Sequence, residues 1–472
     1  MDFLGPLPDG AIPLHGLLAA LGLLVYVVGS HALGQRRHPA AAVAWVMAIL
    51  LLPELGVPLY LMFGTRKLPK AGRREASPVQ ALLPDEQAPM AMQRLAATMA
   101  MPPLSSYAAL RVHHDGRQAR EALFSLIDSA QERLDICTFI LGRDAFGGSL
   151  LEALAARARQ GVRVRLLVDG VGALMGGRRD FSRARHAGVQ VAYFVPPLRS
   201  PFQWPLRGRT NLRNHRKMVV ADSRHFWSGG RNLAGEYFDG VAGEPPWLDL
   251  SFDAQGELAG QAAALFDADW DFACHPPAWL ELGGARLWPA PAGEPPVAQL
   301  LPSGPDYADD TIHTALLTAC YQAQRRILAV TPYLVLDESL MAALSLAARR
   351  GLRVDVVVPK RSNHRLADIA RQRPMRELAR AGVGLWLGPA MTHAKAVVVD
   401  GRMAFIGSVN LDSRSLFLNY ELTTLFYERQ DVERFANWCE DLRSTALAYQ
   451  PHEPGLLRFV AEGLVLWLAF QL

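Results

Sequence analysis

Two apolar stretches open the chain. Ala11 to Leu33 holds no Lys, Arg, Asp or Glu. Its 23 residues, at ~1.5 Å each in a helix, reach across a hydrocarbon core of ~30 Å. Pro39 to Gly64 is also apolar but is interrupted by Pro53, Glu54 and Pro58, and proline breaks or kinks a helix. The pair predicts a transmembrane or re-entrant helical hairpin over residues 1–64. Glu54, an ionisable group at membrane depth, is expected to lie near a helix break and to reach protein or water. Residues 65–105 lose any clear period and read as a linker.

From about Ser106 the pattern alternates between amphipathic and β-rich segments. A helix is predicted over Glu121–Ala130, a strand over Leu134–Leu141, a helix over Leu150–Arg159 closed by Gly161, and a strand over Val162–Val168. The same order returns downstream. A strand over Ile327–Tyr333 precedes a helix over Glu338–Arg350 closed by Gly351, and a strand over Leu352–Val358 follows. Aligned on the two glycines, the helices match closely enough to call a repeat. This predicts an α/β protein of two halves related by a pseudo-two-fold axis, spanning 106–300 and 301–472. A proline-rich region, 276–305, joins them. Leu456 to Leu472 is apolar but short for a span, and reads as a C-terminal helix packed on the body or at an interface.

Composition changes this picture little. The net charge of +4 over 472 residues does not point to nucleic acid. Cys137, Cys274, Cys320 and Cys439 are scattered, which argues against a zinc site or a disulfide framework and weakly favours a reducing compartment. Basic residues cluster, with Arg36 and Arg37 between the apolar stretches and Arg66, Lys67, Lys70, Arg73 and Arg74 after the second. The larger cluster assigns the body to the cytoplasm. A cleaved signal peptide would need a basic leader, and none precedes the first stretch.

The chemistry lies in a duplicated motif. The first copy reads His215-Arg-Lys217, four residues, Asp222, six residues, then Gly229-Gly230-Arg231-Asn232. The second reads His393-Ala-Lys395, four residues, Asp400, six residues, then Gly407-Ser408-Val409-Asn410. In extended backbone, i and i+2 face one side, so each His and Lys point together. If the halves pair, two histidines and two lysines meet. One imidazole can attack phosphorus while the other serves as acid and then base. The lysines stabilise phosphoryl charge and Asn232 and Asn410 can donate amide hydrogen bonds. The glycines would let backbone approach the phosphate. Such chemistry needs no metal or cofactor. Asp222 and Asp400 lie an odd number of residues from their histidines, so mainly structural pairing is expected of them, although they belong to the motif. Asp249 and Glu421 fall where following strands could return to the site, and are the expected carboxylates orienting the histidines.

These motifs resemble the phospholipase D superfamily, whose signature is this duplicated pattern. The wider chain resembles bacterial cardiolipin synthases with two N-terminal membrane helices. The likeness includes Leu-Tyr-Leu-Met-Phe-Gly (59–64), Arg-Asn-His-Arg-Lys (213–217), Ser303-Gly304-Pro305, Thr331-Pro332-Tyr333 and Asn-Tyr-Glu (419–421). It implies transfer of a phosphatidyl group between two phosphatidylglycerols through a phosphohistidine, with His215 as nucleophile and His393 as acid/base. It implies a multi-pass protein of the bacterial inner membrane acting on membrane lipids rather than nucleic acid. A hydrolase using water, or a nuclease, would use the same histidines; a membrane hairpin serves a nuclease poorly. The loop from Leu198 to Asn214, with Arg199, Phe202, Trp204, Arg207, Arg209 and Arg213, is expected to face lipid.

Overall fold

The computed structural model describes residues 11–32, 39–64, 67, 84–85, 88–99, 101–177, 179–196, 211–241, 243–275, 296–307 and 309–468. The expected lipid-facing residues Arg199, Phe202, Trp204, Arg207 and Arg209 lie outside them.

Three helices open the chain: α1 (Ala11–Ala32), α2 (Pro39–Leu51) and α3 (Pro53–Phe63). The second apolar stretch is therefore two short helices, because Pro53 starts a new one. Among the described residues no helix is both long and apolar enough to cross a membrane. The three helices pack on one another. Small residues permit this: a Cβ at Gly22 would collide with Val57 and Ile49, and one at Gly56 with the Ala48 carbonyl. Glu54 lies in the first turn of α3, at the break, with its Oε1 3.3 Å from His15 Nδ1 on α1. Within the stretch read as linker, Met90–Thr98 forms helix α4, whose Met92 and Ala96 are buried against the second half.

The first half runs β1 (Ser105–Ser106), β2 (Ala108–His113), α5 (Gly116–Ser129), β3 (Arg133–Thr138), α6 (Ala145–Arg159), β4 (Arg163–Asp169), α7 (Gly170–Met175), α8 (Ser182–His186), β5 (Gln190–Phe194), β6 (Met218–Ala221), β7 (His225–Gly229), β8 (Ser251–Gln255) and α9 (Glu257–Cys274). The second runs β9 (Val297–Ser303), α10 (Thr311–Gln322), β10 (Arg326–Val330), β11 (Leu334–Val335), α11 (Glu338–Arg349), β12 (Arg353–Pro359), α12 (Arg365–Ala370), α13 (Gln372–Arg380), β13 (Gly384–Gly388), β14 (Ala396–Val399), β15 (Met403–Gly407), β16 (Leu411–Asp412), α14 (Ser413–Phe417), β17 (Glu421–Phe426), α15 (Arg429–Ser444), β18 (Leu447–Ala448) and α16 (Leu456–Leu468).

The sheets show the duplication. One is ordered β2-β8-β7-β6-β3-β4-β5, the other β9-β17-β15-β14-β10-β12-β13, with β1 and β18 added at its edges. Strand for strand the order is the same. In each, the strand before the repeat helix pairs in parallel with the strand after it, as a crossover helix requires. Side chains alternate along these strands. Ile136, Leu166, Val219 and Trp227 enter an outer core under α5 and α6. Their neighbours Cys137, Leu167, Met218 and Val220 enter a core shared with Leu328, Val330, Ala396 and Val398 of the other sheet. Helices α9 and α15 fill this shared layer. The two halves thus fold onto one another across a common apolar interior.

Candidate active site

Both His-x-Lys segments lie just before a strand, β6 and β14, in extended backbone outside the ladder. What holds them is the other half. His215 N–H donates to the Tyr420 carbonyl (2.8 Å) and Tyr420 N–H to the Arg213 carbonyl (2.9 Å). The mirror arrangement holds the second copy: His393 N–H donates to the Leu248 carbonyl (2.7 Å) and Leu248 N–H to the Met391 carbonyl (2.9 Å).

This backbone exchange dictates how the carboxylates pair. Glu421, next to Tyr420, lies 3.0 Å from His215 Nδ1. Asp249, next to Leu248, lies 2.7 Å from His393 Nδ1. Each acid therefore orients the histidine of the opposite half. Asp249 and Glu421, the expected orienting carboxylates, lie against the histidines, each across the interface between the halves.

The motif glycines have a different task from the one expected of them. A Cβ at Gly229 would lie 2.3 Å from the Leu250 carbonyl, and one at Gly407 2.2 Å from that of Leu422. A Cβ at Gly230 would lie 2.2 Å from Asp249 Oδ1. The glycines make room for the strand that carries the orienting acid. Where Gly230 stands in the first copy, Ser408 stands in the second, and its hydroxyl donates to Glu421.

Asp222 and Asp400 are not in the site. Both have positive φ (52° and 55°) in the turns after β6 and β14, a conformation that Asp tolerates. Asp222 accepts from the N–H groups of Gln131, Glu132 and Arg133, each at 2.8 Å. Asp400 does the same for Gln324, Arg325 and Arg326. They pin the turn to the start of the neighbouring strand, the mainly structural pairing expected of these two motif members.

The centre is buried and holds two lysines and two ionised carboxylates around the imidazoles. Burial, against the opposing pull of Glu421, brings His215 down to about 4. Burial, with Lys395 beside it, brings His393 to about 3. Burial also lowers Lys217 to about 8 and Lys395 to about 7. The charge of Lys395 acts on His215, and that of Lys217 on His393. This reciprocal influence puts the two motifs in one site. Lys217 Nζ donates to the His215 carbonyl (2.8 Å). Lys395 Nζ lies 3.0 Å from His393 Nε2. Among the described residues nothing bonds to His215 Nε2.

Asn232 donates to the Tyr237 hydroxyl (2.8 Å), so part of its amide is engaged within the protein. Asn410 is buried, and its Oδ1 has no hydrogen-bond partner among the described residues. Aromatic rings wall the site. Phe139 meets the His215 ring edge-on at 5.0 Å, and Tyr237 and Trp247 lie 4.9 and 5.9 Å from that of His393. Sequence reasoning did not find these walls. Trp247, two residues from Asp249, was the nearest available signal, and Phe139 carried none. It also missed Arg216. This fully buried side chain donates to the carbonyls of Glu421 and Ser303, each at 3.0 Å, and to the Asp269 carboxylate.

Two α/β halves that each supply a His-x-Lys segment and orient the other's histidine define a phospholipase D-like protein. The comparisons agree and narrow the class. The family described as "Cardiolipin synthase, PLD-like domain" matches residues 123–270 and 316–443, and "Phospholipase_D-nuclease N-terminal" matches 18–64. The chain is 32% identical to cardiolipin synthase A of Pseudomonas putida (strain W619), over 94% of this chain and 93% of that one. It is 31% identical to cardiolipin synthase A of Serratia proteamaculans (strain 568), over 85% and 86%. A solved phosphatidylserine synthase from Haemophilus influenzae shares the fold, with a TM-score of 0.63 at 15% identity over 81% of this chain and 100% of that one. The chain belongs to the cardiolipin synthase family of phospholipase D-like proteins.

Proposed function

We propose that the protein is a cardiolipin synthase that moves a phosphatidyl group from one phosphatidylglycerol to another and releases glycerol. The observation that carries the mechanism is the crossed pairing of His215 with Glu421 and His393 with Asp249. Each histidine is held with Nδ1 on a carboxylate, so its Nε2 is the working atom.

His215 is the nucleophile. Its Nε2 has no bonded partner among the described residues, and its low pKa keeps the ring neutral at pH 7. Nε2 attacks phosphorus and the bond from phosphorus to the departing glycerol oxygen breaks; His393, which takes up a proton at Nε2 as the anionic phosphodiester binds, gives that oxygen the proton. The product is phosphatidyl-His215 with free glycerol. A hydroxyl of the second phosphatidylglycerol then loses its proton to His393 and attacks the same phosphorus. Cardiolipin forms and His215 is released. Lys217 and Lys395 balance the charge that builds on the phosphoryl oxygens, and burial makes that interaction stronger than in water. The negative phosphodiester in turn raises the pKa of the lysines and of His393 on binding.

The N-terminal helices hold this site at the bacterial inner membrane as a re-entrant anchor. At ~1.5 Å per residue, the 13 residues of α2 and 11 of α3 each fall short of a hydrocarbon core of ~30 Å. Leu14, Leu17, Leu21, Leu24, Leu55 and Leu59 point away from the bundle, as lipid contact requires.

The test is product analysis with the full-length protein in phosphatidylglycerol membranes. Cardiolipin and glycerol are expected in equal amounts. Phosphatidic acid with glycerol would replace synthesis by hydrolysis. Denaturing the protein during turnover of phosphate-labelled lipid should trap label on the wild type and none on His215→Ala. His215→Ala and His393→Ala should each lose about 10³-fold or more in kcat. Full activity in either would sink the two-histidine mechanism.

A further inference from the structure

The first turns of the C-terminal helix leave apolar side chains in the open, while Val465 further along packs against Val335 and Ala370. On α16 the charged Glu462 is buried against Arg376 of α13, while Leu456, Leu457, Phe459 and Val460 are exposed (77%, 88%, 51% and 50%). Next to it on α12, with which α16 packs, Leu366 and Ile369 are exposed as well. A soluble surface helix would present the reverse arrangement. Contiguous exposed apolar surface of this kind marks a binding face.

The position of the patch is informative. Helix α12 follows β12, at the end of the sheet where His393 enters β14. The loop before it contacts Tyr333, whose hydroxyl donates to Asn363 (2.6 Å) and whose ring lies 6.2 Å from His364; Tyr333 in turn acts electrostatically on Tyr237 of the site wall. The duplication places α7 at the matching point of the first half, after β4. There Leu174 and Met175 are also exposed. Gly172 of α7 sits directly on the carbonyl of Phe139, the residue that walls His215. Two apolar pads therefore flank one site. The larger is bordered by Lys360, Arg361 and Arg365, all exposed and forming no ion pair among the described residues.

We propose that this face docks on an anionic phospholipid bilayer, with α16 and α12 on one side of the site and α7 on the other, so that the site opens onto the lipid surface. Apolar side chains ringed by cations match the acyl boundary and headgroups of such a surface. The inference rests on the phosphatidyl-transfer reading for its substrate, but its first test does not use activity.

The experiment uses the full-length chain with Cys274→Ser, since Cys274 is the exposed cysteine and Cys137, Cys320 and Cys439 are buried. A polarity-sensitive fluorophore is placed by Leu457→Cys, Leu366→Cys or Met175→Cys, with Arg429→Cys on α15 as control. In phosphatidylglycerol vesicles carrying a shallow acyl-chain quencher, the first three labels should shift to shorter wavelength and be quenched at least about twofold, and the control should not. Lys360→Glu, Arg361→Glu and Arg365→Glu together should reduce quenching at 457 and 366. Water-like emission at all three positions overturns the proposal. So does a shift that appears only with self-association, shown by energy transfer between labelled copies. In the activity arm, serine at 456, 457, 459 and 460 should cut turnover of bilayer phosphatidylglycerol about tenfold and leave a water-soluble short-chain phosphatidylglycerol unaffected. Equal loss on both substrates also overturns it. If no substrate yields cardiolipin, the functional reading fails while the quenching result still decides the docking face.

Discussion

At the scale of single residues, the site works by setting charge states. In the free protein His215 and His393 are buried enough to be neutral, and Lys217 and Lys395 are buried enough to lose protons near neutrality; His393 gains its acidic proton only with the anionic substrate bound. The nucleophile must be neutral, so kcat/KM should fall as pH drops through about 4. The lysines must be charged, so it should also fall as pH rises through about 7 to 8. Lys395→Arg keeps its charge throughout. In that variant the alkaline limb should move toward the value near 8 set by Lys217, even if the maximum is lower; a limb left near 7 would clear Lys395 of the role. Asp222 makes the opposite kind of prediction. Its carboxylate takes three backbone N–H groups and touches nothing in the site. Asp222→Asn should cost about 2 kcal/mol in thermal or denaturant unfolding, with kcat per folded molecule unchanged. Loss of kcat without loss of stability would return Asp222 to the catalytic set. An odd offset from the histidine was enough to expect this from sequence, because alternation along extended backbone is local.

At the scale of elements, the repeat was readable because it is written in periodicity. The predicted strand over Val162–Val168 is β4 within a residue at each end, and the helix Glu338–Arg350 is α11 with one residue fewer. Edges fared worse where side-chain capping decides. Helix α6 starts at Ala145, five residues before its apolar pattern is clear, because Asp144 caps it through the Gly147 N–H. Helix α4 escaped notice since its burial depends on a distant partner, the second half. The proposed N-terminal anchor would depend on close helix contact at Gly56, where a side chain would meet the Ala48 backbone. Gly56→Val should separate α2 from α3. Expected results are a lower melting temperature in detergent and weaker retention in membranes, measured by carbonate extraction. Unchanged retention would mean that the α2–α3 contact does not hold the anchor.

At the scale of the whole molecule, each half lacks the carboxylate that its own histidine contacts, since each histidine pairs with the other half's acid. Arg216 fastens them. Its guanidinium joins Asp269 of its own half to the Glu421 and Ser303 carbonyls of the other, with no solvent exposure. Arg216→Leu would take the guanidinium from the buried Asp269 carboxylate and leave its negative charge uncompensated by Arg216, a loss of about 3–5 kcal/mol. Unfolding should shift to correspondingly lower denaturant, and kcat should fall with the misplacement of His215. An Asp269→Asn, Arg216→Leu double variant should recover part of the stability, because the buried negative charge is gone, but not the activity. Recovery of both would show that Arg216 acts only through the charge of Asp269.

The sequence by itself determined the halves, the motif, the phosphodiester chemistry and the family likeness. These depend on spacing and alternation, which are properties of neighbouring residues. Only the tertiary structure decided which acid serves which histidine, why the motif carries glycines, and which side of α16 faces outward. The reason is the same in each case. Leu248 and Tyr420 bond to the entry segments of the opposite half, and Glu462 turns inward to meet Arg376. Such partners lie far apart along the chain, and no local pattern records them.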